Sequence, residues 1–345
     1  MALARRQAVV ALESTIFSRL GLPDPAGREA LDRCVAAVRA GGAVPALTAV
    51  LDGVPVVGVD PADLERIHAA TAKVAARDLP VAVAQRWPVG VTTVSAAVQL
   101  AAQAGIRVFA TGGIGGVHRD VARSGDVSAD LLALRTFEVV TVCAGAKGFL
   151  DIPRTLEQLE TWGVPVIVLG AEEFPAFTTR SSGCPAPRTV ASAVEAAAVA
   201  RAAEMVGYHG GVLVAVPVPK ADEVPREVLD AAIDGAIARA AAAGISGPAV
   251  TPYVLDAIDR PSVSPAIAAN LALAEQNAAT VASVVVVGAV VVGADVVVAW
   301  VVVVVSRGGS VVGTISYRSG SGIQSAGGPS GPPPPEEVTQ RRLGS

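Results

Sequence analysis

The chain has 345 residues and a formal net charge of −4, so it can bury the core of one large domain or of two smaller ones. The small acidic excess gives no basic surface for nucleic acid, and no nucleic-acid partner is predicted. Cys34, Cys143 and Cys184 have no metal-motif spacing, which argues against a disulfide framework and favours a reducing cytoplasm. The N-terminal apolar run is short and stops at Glu13, so no signal peptide is predicted.

Strands and helices alternate along the sequence. The predicted strands, from short apolar runs, are residues 7–12, 43–51, 54–59, 106–110, 139–143, 165–169 and 211–216. The predicted helices, from periodicity and capping signals, are residues 25–41, a helix after Asp60-Pro61, and residues 94–105, 155–161, 191–205, 224–243 and 264–282. The alternation predicts an α/β fold. A hairpin signal at Asp52-Gly53 predicts that its sheet is mixed.

Most of the residues suited to chemistry lie between Thr111 and Lys147. A glycine-rich turn, GGIGG at residues 112–116, follows one predicted strand, and Lys147 follows the next. Turns at the ends of buried strands are where α/β proteins place ligand sites. The stretch is therefore a candidate active site. Glu13, at the end of the first predicted strand, is suitably placed for acid–base chemistry, although a helix cap or a surface turn explains it equally well.

Lysine is rare in this chain, with only Lys73, Lys147 and Lys220 among 27 basic residues. A primary amine can lose its proton and attack a carbonyl, which a guanidinium cannot do. Because burial penalises an ammonium ion, Lys147 is a candidate Schiff-base nucleophile. The alternative, for Lys147 and Lys73 alike, is an ordinary lysine whose ammonium group reaches solvent.

The glycine turn and two aspartates allow further interpretations. The GGIGG spacing differs from the dinucleotide-binding pattern, so the glycines more readily explain a tight turn or a close approach to phosphate. Asp126 and Asp130 would lie one turn apart if their segment were helical, and both could then face one cavity. A solvated helix face is the alternative. A lone aspartate with waters would suit Mg²⁺ or Mn²⁺ better than zinc.

The composition changes sharply near residue 283. Residues 283–305 are almost all Val, Ala and Gly with one charge, Asp295, and about 23 residues can span a bilayer. A membrane anchor, additional packed elements and an aberrant end of the reading frame are three interpretations, and the third is favoured. Membrane attachment is therefore not expected but stays open. The Gly/Ser/Pro-rich residues 306–345 are predicted to be disordered.

Several segments closely resemble the pseudouridine-5′-phosphate glycosidase family, which includes the indigoidine-cluster protein A. They are ALESTIFS (residues 11–18), GAVPALTAVLDG (42–53), VFATGGIGGVHR (108–119), DVSADL (126–131), VVTVCAGAK (139–147), LETWGVPVI (159–167), EEFPAFTTRSSG (172–183) and TPYVL (251–255). The resemblance extends from about residue 8 to residue 282. It defines residues 1–282 as the expected catalytic domain.

The resemblance implies an α/β/α layered fold with a mixed sheet, a homotrimer, Mn²⁺ or another hard divalent cation, and reversible cleavage of pseudouridine 5′-phosphate into uracil and ribose 5-phosphate. It implies that Lys147 forms a Schiff base with the opened ribose and that Glu13 is the proton donor. It also implies that Asp126 binds the metal. The implied substrate-binding residues are Lys73, Val94, Ser128, Ala129, Asp130 and Asn270.

The chain departs from the family pattern at three places. The expected Ser-His-Gly is Ser-Arg-Leu-Gly at residues 18–21, the expected Asn-Pro is Val-Pro at 216–217, and the expected Lys-Val-Ser-Arg-Arg-Asp is KVAARD at 73–78. None of these changes removes Glu13 or Lys147. The alternative function is a catalytically impaired sugar-phosphate or nucleotide binding protein of the same fold.

Overall fold

The computed structural model of the protein describes residues 7–245, Tyr253, and residues 263–292, 299–305 and 311–317. The chain divides into two compact units, Met1–Val290 and Val291–Ser345. In the second unit, β11 (Ala299–Val305) and β12 (Val311–Tyr317) form an antiparallel pair. The remaining elements belong to the first unit, apart from the last two residues of its final helix.

The strands of the first unit are β1 (Val9–Leu12), β2 (Val44–Leu51), β3 (Val54–Val57), β4 (Lys73–Val74), β5 (Val89–Thr92), β6 (Val108–Ala110), β7 (Val140–Cys143), β8 (Val166–Leu169), β9 (Thr189–Val190) and β10 (Val212–Ala215). Its helices are α1 (Ala26–Ala40), α2 (Leu64–His68), α3 (Leu79–Ala84), α4 (Val94–Gln103), α5 (Val121–Ser124), α6 (Ala129–Thr136), α7 (Ile152–Thr161), α8 (Ala193–Met205), α9 (Arg226–Ala242) and α10 (Val263–Val292). Short 3₁₀ turns span Pro61–Asp63, Ala76–Asp78 and Lys220–Asp222.

The sheet is mixed, as predicted. Its order is β4-β5-β2-β1-β6-β7-β10-β8-β9, with β3 paired to β2. β2 runs antiparallel to β3 and β5, and the other pairs are parallel. The predicted hairpin joins β2 to β3. Asp52 and Gly53 have φ angles of 52° and 79°, and a two-residue hairpin turn of type I′ requires positive φ at both positions.

Helices cover both faces of the sheet. Successive residues of a strand point to opposite faces, and in β1 the buried Val10 and Leu12 join one core while Val9 and Ala11 join the other. Helices α1, α8 and α10 pack on the first face, and α4, α6 and α7 on the second. The predicted α/β/α layering is confirmed.

Strands β4, β5 and β9 and helices α3 and α5 are not among the elements that the sequence predicts, and all five are short. Strands β4 and β9 are two residues long, so neither shows an alternating pattern of apolar residues. Helices α3 and α5, with six and four residues, are too short to show a helical period.

The predicted domain end at residue 282 lies inside α10, which continues to Val292. Ala282 and Val284 are buried in the same core as Val10 and Leu12, and Ala282 approaches Gly41, directly after α1, so this part of the helix packs on the core. The apolar segment 283–305, for which a membrane anchor was one of three interpretations, is helix α10 up to Val292 and strand β11 from Ala299. Within the predicted disordered tail, residues 311–317 form β12, and residues 306–310 and 318–345 lie outside the described residues.

One helical stretch in the described part of the chain, Ala266–Val287, has the length and hydropathy of a membrane span. Half of it is buried inside the protein. It also carries Asn270 and Asn277, both buried and hydrogen-bonded. These features are those of a core helix.

A chain ending at residue 282 should unfold at a lower temperature than one ending at residue 292. The shorter chain loses Val284, which is 3 % exposed, and burying a valine side chain is worth about 1.5–3 kcal/mol. For a domain of this size, at about 2–4 °C per kcal/mol, we expect a decrease of about 3–12 °C in calorimetry. Equal melting temperatures for the two chains would contradict the packing of residues 284–287 on the core.

Candidate active site

The strand order places the carboxyl ends of β1, β6 and β7 side by side. Glu13 directly follows β1, Thr111 and the glycine turn follow β6, and Lys147 lies four residues beyond the end of β7. Because these strands are parallel, the three segments meet at one edge of the sheet. The sequence-based expectation of a site at this edge therefore agrees with the topology.

A cavity of about 390 Å³ lies at this edge. Four of the predicted site residues line it: Glu13, Lys73, Lys147 and Asn270. Arg19, Phe149, Phe177 and Thr178 also line it, together with Leu229 and Ala232 of α9. The cavity thus combines a carboxyl group, three cationic side chains and two aromatic rings, which suits a charged ligand with a planar group.

Glu13 is buried, with 8 % of its surface exposed. Burial raises the pKa of its carboxyl from the ordinary value of 4.5 to about 7. A hydrogen bond from the Thr111 hydroxyl to Glu13 Oε1 opposes this increase, as do the charges of Lys147 and Lys73, while Asp130 adds to it. A carboxyl with this pKa can hold or release a proton near neutral pH, as general acid–base chemistry needs.

The loop that carries Lys147 is fixed by backbone contacts. The Lys147 amide donates to the carbonyl of Ile114, at 3.2 Å, and Ile114 donates to Gly145, at 3.0 Å. Gly145 has a φ of 81°, and a side chain there would collide with the carbonyl oxygen of Pro175. The position therefore requires glycine, and Lys147 lines the cavity as a half-buried residue on a rigid loop.

Lys73 reaches the same cavity from β4, the edge strand, where it pairs in register with Val91 of β5. The residue is solvent exposed, and part of it lines the cavity. Desolvation lowers the pKa of its amine, and the positive charge of Lys147 lowers it further, while Glu13 opposes both effects. Two lysines and one carboxyl are therefore electrostatically linked here.

Asn270 enters the cavity wall from α10. Its amide nitrogen donates to the carbonyl of Ala266, one helical turn earlier, at 2.9 Å. The residue is 9 % exposed. Its amide oxygen is a hydrogen-bond acceptor that a ligand in the cavity could use.

Val94, Ser128, Ala129 and Asp130 are not among the residues that line this cavity. Of these four, Ser128 and Asp130 lie against Gly115 of the glycine turn, and Val94 and Ala129 are the first residues of α4 and α6. The buried Asp130 carboxylate accepts from the amide of Ser95 in α4, at 3.0 Å, and from the amide of Gly115, at 2.9 Å. Asp130 therefore joins the first turn of α4 to the glycine turn.

The interpretation that Asp126 and Asp130 share a helix face is wrong. The Ser128 side chain caps α6 by accepting from the Asp130 amide, at 3.2 Å, and the helix begins only at Ala129. Asp126 therefore precedes the helix. Its carboxylate Oδ2 lies 3.8 Å from Nε2 of His118, and its side chain is partly exposed.

The glycine turn is shaped by close packing. Its four glycines do not have positive φ angles. A Cβ atom at Gly113 would lie 2.6 Å from Cδ2 of Phe177, and one at Gly115 would strike the Ser128 side chain. Phe177 itself has a φ of 65°, an uncommon conformation for an aromatic residue that is often found at functional sites. The Phe177 ring thus forms one wall of the cavity against the glycines.

Thr111, Asn277, Phe177 and Arg19 belong to this region, but sequence reasoning did not identify them. A hydroxyl directly after a predicted strand could have indicated Thr111. The scarcity of asparagine, with only Asn270 and Asn277 in the chain, was the available signal for Asn277. No local pattern indicates Phe177 or Arg19.

The sequence matches the family described as indigoidine synthase A like protein over residues 1–287. It is 49 % identical to a pseudouridine-5′-phosphate glycosidase of Nocardioides sp. over 278 residues, covering 80 % of this chain and 90 % of that protein. It is 46 % identical to the protein of the same name from Chloroflexus aurantiacus over 293 residues, covering 83 % and 95 %.

The fold also matches a solved structure, the prealnumycin C-glycosynthase AlnA in complex with ribulose 5-phosphate. The TM-score is 0.78 at 36 % sequence identity, and the match covers 84 % of this chain and 94 % of AlnA. The family match over residues 1–287 includes the residues that line the cavity. From its sequence and its fold, the chain belongs to the indigoidine synthase A-like family.

Proposed function

We propose that this protein is a pseudouridine-5′-phosphate glycosidase, which reversibly cleaves the C–C glycosidic bond of pseudouridine 5′-phosphate to give uracil and ribose 5-phosphate. The relatives of that name are similar over nearly their whole length. AlnA, a C-glycosynthase, was solved with a phosphorylated sugar. The observation that carries the proposal is that Glu13 and Lys147 line one cavity and interact electrostatically.

The bond to be broken explains why an amine and an acid are needed. Uracil is attached through a ring carbon, so a carboxylate pair acting as in ordinary glycosidases leaves a poor carbanion. The Lys147 amine attacks C1′ while the C1′–O4′ bond breaks, which opens the ribose and passes the amine proton to O4′. When the C–C bond then breaks, its electron pair goes to the departing uracil carbon, which takes the proton of Glu13, and the lysine nitrogen stabilises C1′ as an iminium. Water then releases ribose 5-phosphate and regenerates the amine.

The other cavity residues would bind the substrate. Lys73 and Arg19 supply positive charge for the phosphate dianion. Asn270 offers its amide to the polar edge of uracil, and Phe177 offers an apolar wall for the planar ring. Val94, Ser128, Ala129 and Asp130 remain proposed binding residues, and Asp130 also shapes the cavity through the amide of Gly115.

A hard divalent cation such as Mn²⁺ would bind at Asp126. Among the described residues, no three His, Cys, Asp or Glu side chains converge as a ligand group. One carboxylate with waters can nevertheless hold such an ion weakly, and the Asp126 side chain is partly exposed. The cation would supply positive charge at Asp126.

Asp126→Asn should weaken Mn²⁺ binding and reduce any stimulation of uracil release by Mn²⁺, because the amide has lost the negative charge. Binding can be followed directly by the loss of the free-Mn²⁺ signal in electron paramagnetic resonance. Asp120→Asn, also exposed and nearby in sequence, is the control. Unchanged Mn²⁺ binding by Asp126→Asn would remove Asp126 from the metal site.

A homotrimeric assembly is also proposed from the family resemblance. A cytoplasmic location is proposed from the cysteine pattern, which does not indicate a disulfide framework. Size-exclusion chromatography with light scattering tests the first, and cell fractionation tests the second. Recovery of the full chain in the membrane fraction would favour the tethered alternative.

The decisive assay for the function is uracil release from pseudouridine 5′-phosphate, measured with and without Mn²⁺. Release by the wild-type protein supports the proposal. Tight substrate binding without release would support the alternative of a catalytically impaired binding protein.

A further inference from the structure

Three buried side chains from distant parts of the sequence converge behind the cavity. They are Glu13 after β1, Thr111 after β6 and Asn277 in α10, which are 8 %, 4 % and 1 % exposed. The Thr111 hydroxyl donates to Oε1 of Glu13. The Asn277 amide nitrogen donates to the carbonyl of Thr111, at 2.8 Å, and to that of Gly112, at 3.2 Å.

The orientation of the Asn277 amide follows from its partners. Both contacts are to carbonyl oxygens, which only accept hydrogen bonds, so the NH₂ group must face them. The Gly112 carbonyl also accepts from the amide of Ala144, at 2.8 Å, three residues before Lys147. Asn277 therefore binds the backbone of Thr111, whose hydroxyl contacts Glu13. It also binds the backbone of Gly112, which is hydrogen-bonded to the loop that carries Lys147.

We propose that Asn277 and Thr111 are positioning residues for the proton donor, with Asn277 fixing the Thr111–Gly112 backbone and the Thr111 hydroxyl fixing Oε1 of Glu13. Because Oε1 is occupied as an acceptor, Oε2 carries the proton that is transferred to uracil. The transfer of this proton to uracil rests on the proposed function. The hydrogen bonds themselves are independent of it.

The hydroxyl also has an electrostatic effect on Glu13. A hydrogen bond to a carboxylate favours its ionised form, and this bond lowers the pKa of Glu13 against the effect of burial. The other groups that act on or respond to Glu13 are Lys147, Lys73, Asp130 and Cys34, and Arg19 lines the same cavity. None of these groups is changed when the Thr111 hydroxyl is removed.

The test compares Thr111→Val, which keeps the shape and removes the hydroxyl, with Thr111→Ser, which keeps the hydroxyl. Thr141→Val is the matched control: Thr141 is fully buried on the adjacent strand β7, and its hydroxyl has no hydrogen-bond partner among the described residues. We expect Thr111→Val to slow uracil release about 10- to 100-fold and to move the alkaline decline of kcat/KM to higher pH. Thr111→Ser and Thr141→Val should keep both properties near those of the wild type.

A second readout needs no turnover. In protein labelled with ¹³C at glutamate side-chain carboxyls, the Glu13 signal is identified by its loss in Glu13→Gln, and its titration midpoint should be higher in Thr111→Val only. If the wild type releases no uracil, the proposed function fails, while this titration still decides the hydrogen bond. A midpoint or a rate profile in Thr111→Val equal to that of the wild type would overturn the proposal.

The Asn277 step is tested with a double variant. Asn277→Ala should lower turnover, and adding it to Thr111→Val should reduce the rate no further than about threefold, because both changes release the same group. Should Asn277→Ala fail to fold, Asn277→Ser, which keeps one donor, replaces it in the same comparison. Effects that multiply in the double variant would show that Asn277 does not act through Thr111.

Discussion

Lys147→Arg should lose uracil release by several orders of magnitude while it still binds pseudouridine 5′-phosphate. The substitution keeps the positive charge and most of the volume of the side chain. A guanidinium does not lose its proton at working pH, so it cannot form an imine with the opened ribose. Single-turnover assays and substrate titration separate the two effects.

The control is Lys220→Arg, since Lys220 is exposed and does not line the cavity. It should keep wild-type turnover. In the wild type, borohydride should fix about one ribose 5-phosphate per chain, detectable as added mass on the peptide that contains Lys147. Adduct at Lys73 or Lys220 instead, or near-normal turnover in Lys147→Arg, would reject the proposed mechanism.

Glu13→Gln should slow uracil release by about 10²–10⁴-fold, the usual contribution of a positioned general acid. The lysine amine is retained, so borohydride should still trap an adduct when ribose 5-phosphate is supplied. In the wild type, kcat/KM should decline as pH rises through about 7, because the proton donor ionises there. That decline should be absent from the residual activity of Glu13→Gln. Its persistence would assign the titration to another group.

The same substitution should change stability in a pH-dependent way. The folded protein holds the Glu13 proton more tightly than the unfolded chain. Burial of this carboxyl therefore does not lower the free energy of unfolding below pH 4.5, where it is protonated in both states, and lowers it increasingly as pH rises towards 7. A shift from 4.5 to about 7 corresponds to about 3 kcal/mol at about 1.4 kcal/mol per pKa unit. Glu13→Gln should therefore gain stability over the wild type between pH 5 and pH 8.

Urea unfolding at those two pH values measures this gain. Glu157→Gln, an exposed change on α7, should leave the difference between the two pH values as in the wild type. An equal pH dependence for wild type and Glu13→Gln would mean that the Glu13 carboxyl is not destabilised by burial.

The sequence predicts the α/β class and the mixed sheet because the alternating patterns and the Asp52-Gly53 turn signal are local properties, while the α/β/α layering was implied by the family resemblance. Glu13 and Lys147 could be selected because both follow strands, and lysine scarcity added weight to Lys147. Their convergence depends on β1, β6 and β7 being neighbours, which no local pattern encodes. The resemblance to a known family supplied that information.

Other parts of the site could not be predicted, for identifiable reasons. Asp126 and Asp130 would share a helix face only if their segment were helical, and the Ser128 cap, which starts the helix at Ala129, excludes Asp126 from it. Asn277 escaped notice because its contacts are with Thr111 and Gly112, more than 160 residues earlier in the chain. A hydrogen bond over that separation has no sequence signature.

The position of α10 has a consequence for the order in which the protein is made. Glu13 leaves the ribosome near the start of synthesis, whereas Asn270 and Asn277 are made close to the end of the first unit. A growing chain can therefore assemble the strands that carry Glu13 and Lys147 before it has the helix that completes the cavity wall. Catalytic competence is reached only when nearly the whole first unit has been translated, and a message broken before α10 yields a protein without a finished site.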